Sequence, residues 1–324
     1  MTNVLDRNWP LPEAIPAPSW QDVLPRPQTG RWRRTSEREH TFVALAAARK
    51  NALYISGYRL AQDRYIILSD VHKGDRRKGL DDFAHNESLY CHALNYYLNQ
   101  DYRLVLNGDI EEGWKARLPD IVEAYESSAF AAEGEFARSG CYRYLRIYGN
   151  HDMDWADPGM VERYLQPALG RSVRVFPGVM LGDRIMITHG HQGEANSDRR
   201  AWLSRRIVRH LWRPIQPHLP LTLNRAASPQ PIHRHREQHL HAWARANRTL
   251  LIAGHTHRAL LDSMQFDDPA VHYLNDGCCI HTDGITGIEI DRGEIRLVKW
   301  ELPGDTPQRS IFRSNDLGAL LAQL

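Results

Sequence analysis

Five short β-type runs in this chain each stop at a turn built from Asp, His, Asn and Gly, and that coincidence constrains the fold more than any other feature. The runs span 65–69, 103–106, 144–148, 184–188 and 249–253. The turns that follow them carry Asp70-Val71-His72, Gly108-Asp109, Gly149-Asn150-His151-Asp152, His189-Gly190-His191 and Gly254-His255-Thr256-His257. One such pair arises by chance in many chains; five in series do not. Helical stretches at 83–99 and 121–139 separate the first three runs, so the pattern predicts an α/β fold with functional loops at strand C-termini. Such a layout gathers distant residues on one rim. After Gly254 the pattern turns to hairpins at 271–274, 287–291 and 295–301, which predict a second sheet packed on the first. Residues 1–34 are rich in Pro and Trp and read as an irregular lead-in. Residues 35–51 read as a helix, with Ser36 as its cap and Glu39 three residues later.

Carboxylate oxygen, imidazole nitrogen and an amide oxygen together make a borderline-hard donor set, suited to Mn²⁺, Fe or Zn²⁺ rather than to thiolate-preferring metals. An odd count of carboxylates shared among this many ligands implies two ions. His191 lies two residues beyond His189 and competes with it for a ligand role; His189 is preferred because it directly follows its strand. Asp75 is left out, since it is as well placed to bond its own turn. The run from His233 to His241, His-Arg-His-Arg-Glu-Gln-His-Leu-His, looks like a metal cluster but reads better as a solvated basic face.

Composition sets limits on the rest. Of 324 residues, 41 are Lys or Arg and 39 Asp or Glu, and the hydrophobic share of 42% is that of an ordinary globular chain. The longest apolar run, Phe42 to Ala48, falls far short of the roughly 20 residues that cross a bilayer, and the N-terminus does not read as a signal peptide. A cytoplasmic protein is the expectation. The four cysteines, with Cys278 and Cys279 adjacent, suit neither a disulfide framework nor a zinc site and read as reduced thiols. Charge is unevenly distributed: between Gln192 and Arg248 stand 11 Arg, no Lys and three acids, a local +8 against −6 elsewhere. Arginine without lysine suits bidentate recognition of phosphate or carboxylate, and it equally suits a solvated helix surface.

The order and spacing of the five blocks resemble the calcineurin-like metallophosphoesterase superfamily, from about Tyr65 to Glu301. The resemblance implies two packed mixed β-sheets flanked by helices in four α/β/β/α layers. It divides the chain into an extension at 1–51, a domain at 52–303 carrying a helical lid at 192–248, and a tail at 304–324. It also implies that Asp70, His72 and His257 hold one metal, that Asn150, His189 and His255 hold the other, and that Asp109 bridges them. His151 would lie near the scissile phosphate, and Glu112 falls where the family often keeps an acid that orients this histidine; Asp152 is a second candidate for that task. Two divalent ions about 3.5–4 Å apart can bind a bridging hydroxide at neutral pH and clamp the phosphoryl oxygens for in-line attack. Mn²⁺ is the first expectation, with Fe and Zn²⁺ as alternatives. The 275–277 turn, also common in the family, is followed by Cys278 and Cys279, which read as small core residues.

The insert is expected to decide the substrate. Leu203, Ile207, Leu211 and Ile215 recur every fourth residue, widened by Trp202, Val208 and Trp212 and interspersed with Arg199, Arg205, Arg206 and Arg209. This reads as an amphipathic basic helix, either a cap on the core or a lid for an anionic amphiphile that also suits peripheral membrane contact. Three prolines follow, then another helical stretch at 236–248. A narrower resemblance is to the UDP-2,3-diacylglucosamine pyrophosphatases, through the lid position, the block Gly108-Asp109-Ile110-Glu111-Glu112-Gly113-Trp114, and Arg258 after His257. It implies cleavage of a lipid-nucleotide pyrophosphate to UMP and a lipid phosphate. The best-known branch has Arg where this chain has His151, and the lead-in here is extra. General phosphomonoesterases or phosphodiesterases remain alternatives, as does a silent scaffold on the same fold. A nucleic-acid phosphodiesterase is disfavoured by the lack of interleaved stacking aromatics.

Overall fold

The computed structural model describes residues 36–194 and 231–324, all within a unit that runs from Thr35 to Leu324. Three of the five expected runs form its centre: β2 (Arg64–Leu68), β3 (Arg103–Asn107) and β4 (Tyr144–Ile147) pair in parallel, and β5 (Val175–Phe176) extends them. These strands are almost wholly buried because both faces are covered, which is why they read as near-continuous apolar runs. On the other side, β10 (Ile285–Asp291) pairs antiparallel with β2, then β11 (Glu294–Glu301) and β12 (Gln308–Asp316) follow. Arg292 and Gly293 join β10 to β11 with φ of 51° and 95°, the two positive values that a tight right-twisted hairpin needs.

The second sheet runs β1-β6-β7-β8-β9, from β1 (Leu53–Ile55), β6 (Val179–Leu181), β7 (Ile185–Ile187), β8 (Leu250–Ala253) and β9 (Tyr273–Asn275). Here the sequence expectation is corrected. The hairpin 287–301 enlarges the first sheet rather than founding a second, and β9 is no hairpin strand, since it pairs in parallel with β8. Strand partners are chosen by tertiary packing that a local pattern does not carry.

Alternation along the strands separates the layers. Tyr65, Ile67, Val105 and Ile147 face the other sheet's Leu181, Ile187, Leu250 and Ile252. Ile66, Leu68, Leu104 and Leu106 face the opposite way, onto α2 (Glu87–Asn99), α3 (Leu118–Tyr125) and α4 (Ala131–Arg138). The outer face of the second sheet, Met180, Met186, Leu251 and Ala253, packs on α1 (Glu37–Lys50) and α5 (Pro231–Ala246) through Leu45, Ala48, Leu240 and Trp243. The result is the expected α/β/β/α order. The helix α1 starts at the predicted box, Ser36 Oγ accepting from Glu39 N at 3.2 Å and Glu39 accepting from Ser36 N at 2.7 Å. It belongs to the core rather than to an extension. Residues 304–324 are likewise no free tail: β12 closes the sheet edge, and α6 (Leu317–Gln323) buries Leu317 and Leu320 between the sheets. Their polar, exposed composition is that of an edge strand, which conceals the pairing. The amphipathic stretch with Arg199, Arg205, Arg206 and Arg209 lies outside the described residues. Among the described residues no helix is long and apolar enough to cross a membrane.

Candidate metal centre

Every block named from the sequence sits at the C-terminal end of a parallel-paired strand, three on one sheet and two on the other. The backbone there is unusual: Asp70, His72, Asp109, His255 and His257 have φ of 50°, 50°, 52°, 67° and 56°. An L-residue in this region costs roughly 1–2 kcal/mol, so the surroundings must hold it. They do so by hydrogen bonds between the loops, Asp70 N to Gly108 O at 3.1 Å and His72 N to Asp109 O at 3.0 Å. Asp70 Oδ2 accepts from His255 N at 2.8 Å. Gly149 is required for the same closeness, since a Cβ there would overlap Asp109 Oδ1.

The side chains converge as two groups linked through Asp109 and His72. Asp70, His72 and His257 offer ligand atoms within 4.8 Å of one another, and so do Asp109, His189 and His255. His257 Nε2 is 3.0 Å from Asp70 Oδ1, and His189 Nε2 is 3.0 Å from Asp109 Oδ2. Asp109 also groups with His72 and His151, which places it between the two sets. Four buried atoms facing this cluster, Asp70 Oδ1, His72 Nε2, Asn150 Oδ1 and His189 Nε2, have no hydrogen-bond partner. Unmatched buried polar atoms are costly, and a set made of carboxylate, amide and imidazole ligands fits divalent cations.

A surrounding layer orients these donors. Glu112 accepts from His72 Nδ1 at 3.1 Å and from His151 Nδ1 at 2.7 Å, turning Nε2 of both rings inward. Asn107 O does the same for His189 Nδ1 at 2.9 Å. The His151 ring lies stacked on Trp114, centroids 4.1 Å apart, and Trp114 Nε1 donates to Asn150 O at 2.8 Å. Its Nε2 is 4.0 Å from Asp109 Oδ2. His255 Nε2 meets Glu194 Oε2 at 2.7 Å.

Asp152 does not orient His151. Its oxygens accept from Gly149 N at 2.6 Å and Ile110 N at 2.9 Å, so it ties the second block to the third. His191 is buried but belongs to neither group. Asp75 pairs with Arg77 in its own turn. Cys278 and Cys279 are buried free thiols.

Charge and burial act against each other here. Burial alone lowers an imidazole, yet at His72 the adjoining Asp70 and Glu112 outweigh it and hold the ring well above its ordinary value. At His189 burial is likewise outweighed, by Asp109 and Asp70, and the ring is pushed up to about 9. Burial raises Asp109, but His189 and His151 bring it below the usual carboxylate range. Asp152 goes the other way, raised to about 6 by burial despite Arg146.

Two functional features escape the sequence reading. Beneath the site lies a fully buried ionic network: Lys73 reaches Glu111 at 3.1 Å and Glu133 at 2.6 Å, and Arg146 pairs with Glu111 and, at 3.4 Å, with Glu133. Charged residues inside otherwise apolar strands, such as Arg146 in β4, are the only sequence signal for it. The run from His233 to His241 is not a uniformly solvated face, because Arg236, Glu237, Leu240 and His241 are buried. Arg236 donates to Gly190 O at 2.9 and 2.7 Å, to Gln192 O at 2.6 Å and to Thr41 Oγ1 at 2.6 Å, anchoring α5 and α1 to the fourth block. The spacing of Arg236, Leu240 and Trp243 marks that buried stripe.

Comparison with known proteins adds a family. The model described as "calcineurin-like phosphoesterase" matches residues 64–259. Vacuolar Protein Sorting 29 from Cryptosporidium parvum is 14% identical, with a TM-score of 0.38 over 78% of this chain and 98% of its own. A point variant of Vps29 from Entamoeba histolytica is 13% identical, with a TM-score of 0.35 over 77% of this chain and 99% of its own. No curated protein matches the chain.

Proposed function

Since the chain belongs to the calcineurin-like phosphoesterase family, we propose that it hydrolyses a phosphate ester or pyrophosphate with the help of two divalent cations, Mn²⁺ ahead of Fe and Zn²⁺. The observation that carries this reading is the pair of ligand groups linked through Asp109 and His72. In it Asp70, His72 and His257 hold one cation, Asn150, His189 and His255 the other, and Asp109 both. When bound, the cations supply a nucleophile from water at neutral pH and draw charge from the phosphoryl oxygens. Glu112 accepts the Nδ1 proton of His151, so Nε2 faces the departing oxygen and, in the imidazolium form, gives its own proton to it. Trp114 holds the plane of that ring and shields one face from water.

The substrate we propose is a lipid nucleotide of the UDP-2,3-diacylglucosamine kind. Support comes from the block ending in Trp114, from Arg258, and from an insert that combines apolar residues with Arg199, Arg205, Arg206 and Arg209. In this reading the protein works in the cytoplasm, peripheral to the inner face of the membrane, with the insert as the point of contact. Phosphorus NMR of the Mn²⁺-loaded protein with a phosphomonoester, a phosphodiester and UDP-diacylglucosamine tests it. Selective loss of the pyrophosphate signals as UMP appears is expected. Turnover of the simple esters alone would remove the lipid-nucleotide reading, and no turnover at all would favour a non-catalytic scaffold.

A further inference from the structure

The run from His233 to His241 offers, from sequence alone, no carboxylate on the face that His235 and His239 share. The fold supplies one from almost 200 residues away. His235 and His239 stand one turn apart on α5, where residues four apart share a face, with ring centroids 4.4 Å apart. Glu37, in the first turn of α1, brings its carboxylate to the same place, and the three side chains offer ligand atoms within 4.8 Å of one another. The strand-end groups share no residue with this one.

Two further observations favour a ligand here. His239 Nδ1 is buried and has no hydrogen-bond partner, a cost that coordination by its ring would offset. The two helices are also fixed to each other at this point by groups outside the cluster. Arg236, between the two histidines, donates to Thr41 Oγ1 at 2.6 Å, and Thr41 Oγ1 donates to Glu37 O at 3.0 Å. The main chain at Glu37 is therefore held beside α5 before any ion arrives. Preorganisation of this kind reduces the ordering cost of binding. Arg236 also donates to Gly190 O and Gln192 O.

We propose that Glu37, His235 and His239 form a third cation site, distinct from the strand-end centre, which takes a Zn²⁺-class divalent ion and clips α1 to α5. Two imidazoles and one carboxylate are the donors Zn²⁺ prefers, with an open position left for water, whereas Mg²⁺ and Ca²⁺ require more oxygen. Because α5 also carries Arg236, an ion here adds to the support of the fourth block.

The test is zinc content per chain after chelator treatment and reloading of the full-length protein, compared with His235→Ala and Glu37→Gln. Each variant is expected to hold one ion fewer than the unsubstituted chain, and a zinc-edge anomalous map of the unsubstituted protein is expected to show a peak between the two helices. The same one-ion difference is expected in an Asp109→Ala background, which separates this site from the strand-end centre. Equal zinc content in all chains, or no anomalous peak between α1 and α5, overturns the proposal. His235 is exposed, so its replacement leaves the core intact.

Discussion

Replacing Glu112 by Gln is the most informative single change. The carboxylate is buried, 2% exposed, and accepts from His72 Nδ1 at 3.1 Å and His151 Nδ1 at 2.7 Å. A carboxylate can accept both; an amide has one acceptor oxygen and would face the second ring with an N–H. One ring must then turn away or move its proton to Nε2. If the ring is His72, the nitrogen aimed at the cation is blocked; if it is His151, the ring loses the acceptor that aims its Nε2. Changes of this sort typically cost about 10- to 100-fold in metal affinity or activity, or about 1.4–2.7 kcal/mol at 1.36 kcal/mol per tenfold. The assay is steady-state hydrolysis of an aryl phosphate ester across a Mn²⁺ titration. A defect at His72 appears as weaker Mn²⁺ activation that excess metal restores, and a defect at His151 as a lower kcat that it does not. Removing His151 and Glu112 together should then cost far less than the product of the single losses. Unchanged kcat and unchanged Mn²⁺ activation in Glu112→Gln would refute the reasoning.

Three other outcomes follow from the same geometry. Arg236→Met leaves two backbone carbonyls and a hydroxyl without their charged donor and should cost about 3 kcal/mol, read as a lower urea midpoint; a loss under about 1 kcal/mol would show that the anchor matters little. His189, pushed up to about 9, and His72, held well above its ordinary value, both carry a proton at neutral pH in metal-free protein. Their coordinating nitrogens must give it up, so Mn²⁺ uptake should release about two protons, measured by calorimetry in buffers of different ionisation heat. His241 and His272 lie beside Asp268 at 3.3 and 3.9 Å, yet burial outweighs that carboxylate and lowers both rings from 6.5. The unfolded chain then binds more protons than the folded one below that value, so their contribution is complete above it and is lost as pH falls. Denaturation midpoints should therefore fall from about pH 6.5 downward, and less steeply in a His241→Gln, His272→Gln protein.

How much of this was legible in the sequence depends on whether the information is local. The ends of β2, β3, β4, β7 and β8 were readable because a buried parallel strand is a short apolar run and the ligands follow it directly. The capping box of α1 is a four-residue signal and was readable too. What failed was pairing. The parallel partner of β9, the merging of β10 to β12 with the first sheet, and the burial of Arg236 depend on segments far apart in the chain. So does the arrival of Glu37 beside His235 and His239, which four-residue spacing on one helix cannot reveal. The choice of Glu112 over Asp152 as the partner of His151 belongs here as well: Asp152 is the next residue and Glu112 is 39 residues away, yet the fold brings Glu112 to the ring and turns Asp152 toward the backbone of Gly149 and Ile110.

The most direct test of the central claim is metal content and turnover in Asp109→Ala beside His151→Ala. Asp109 joins both ligand groups while His151 stands at their edge, its Nε2 4.0 Å from Asp109 Oδ2. The account predicts that Asp109→Ala loses Mn²⁺ from the strand-end centre and all hydrolysis, whereas His151→Ala keeps its Mn²⁺ and turns over more slowly. A His151→Ala protein stripped of Mn²⁺, or an Asp109→Ala protein that still hydrolyses phosphate esters, would contradict it.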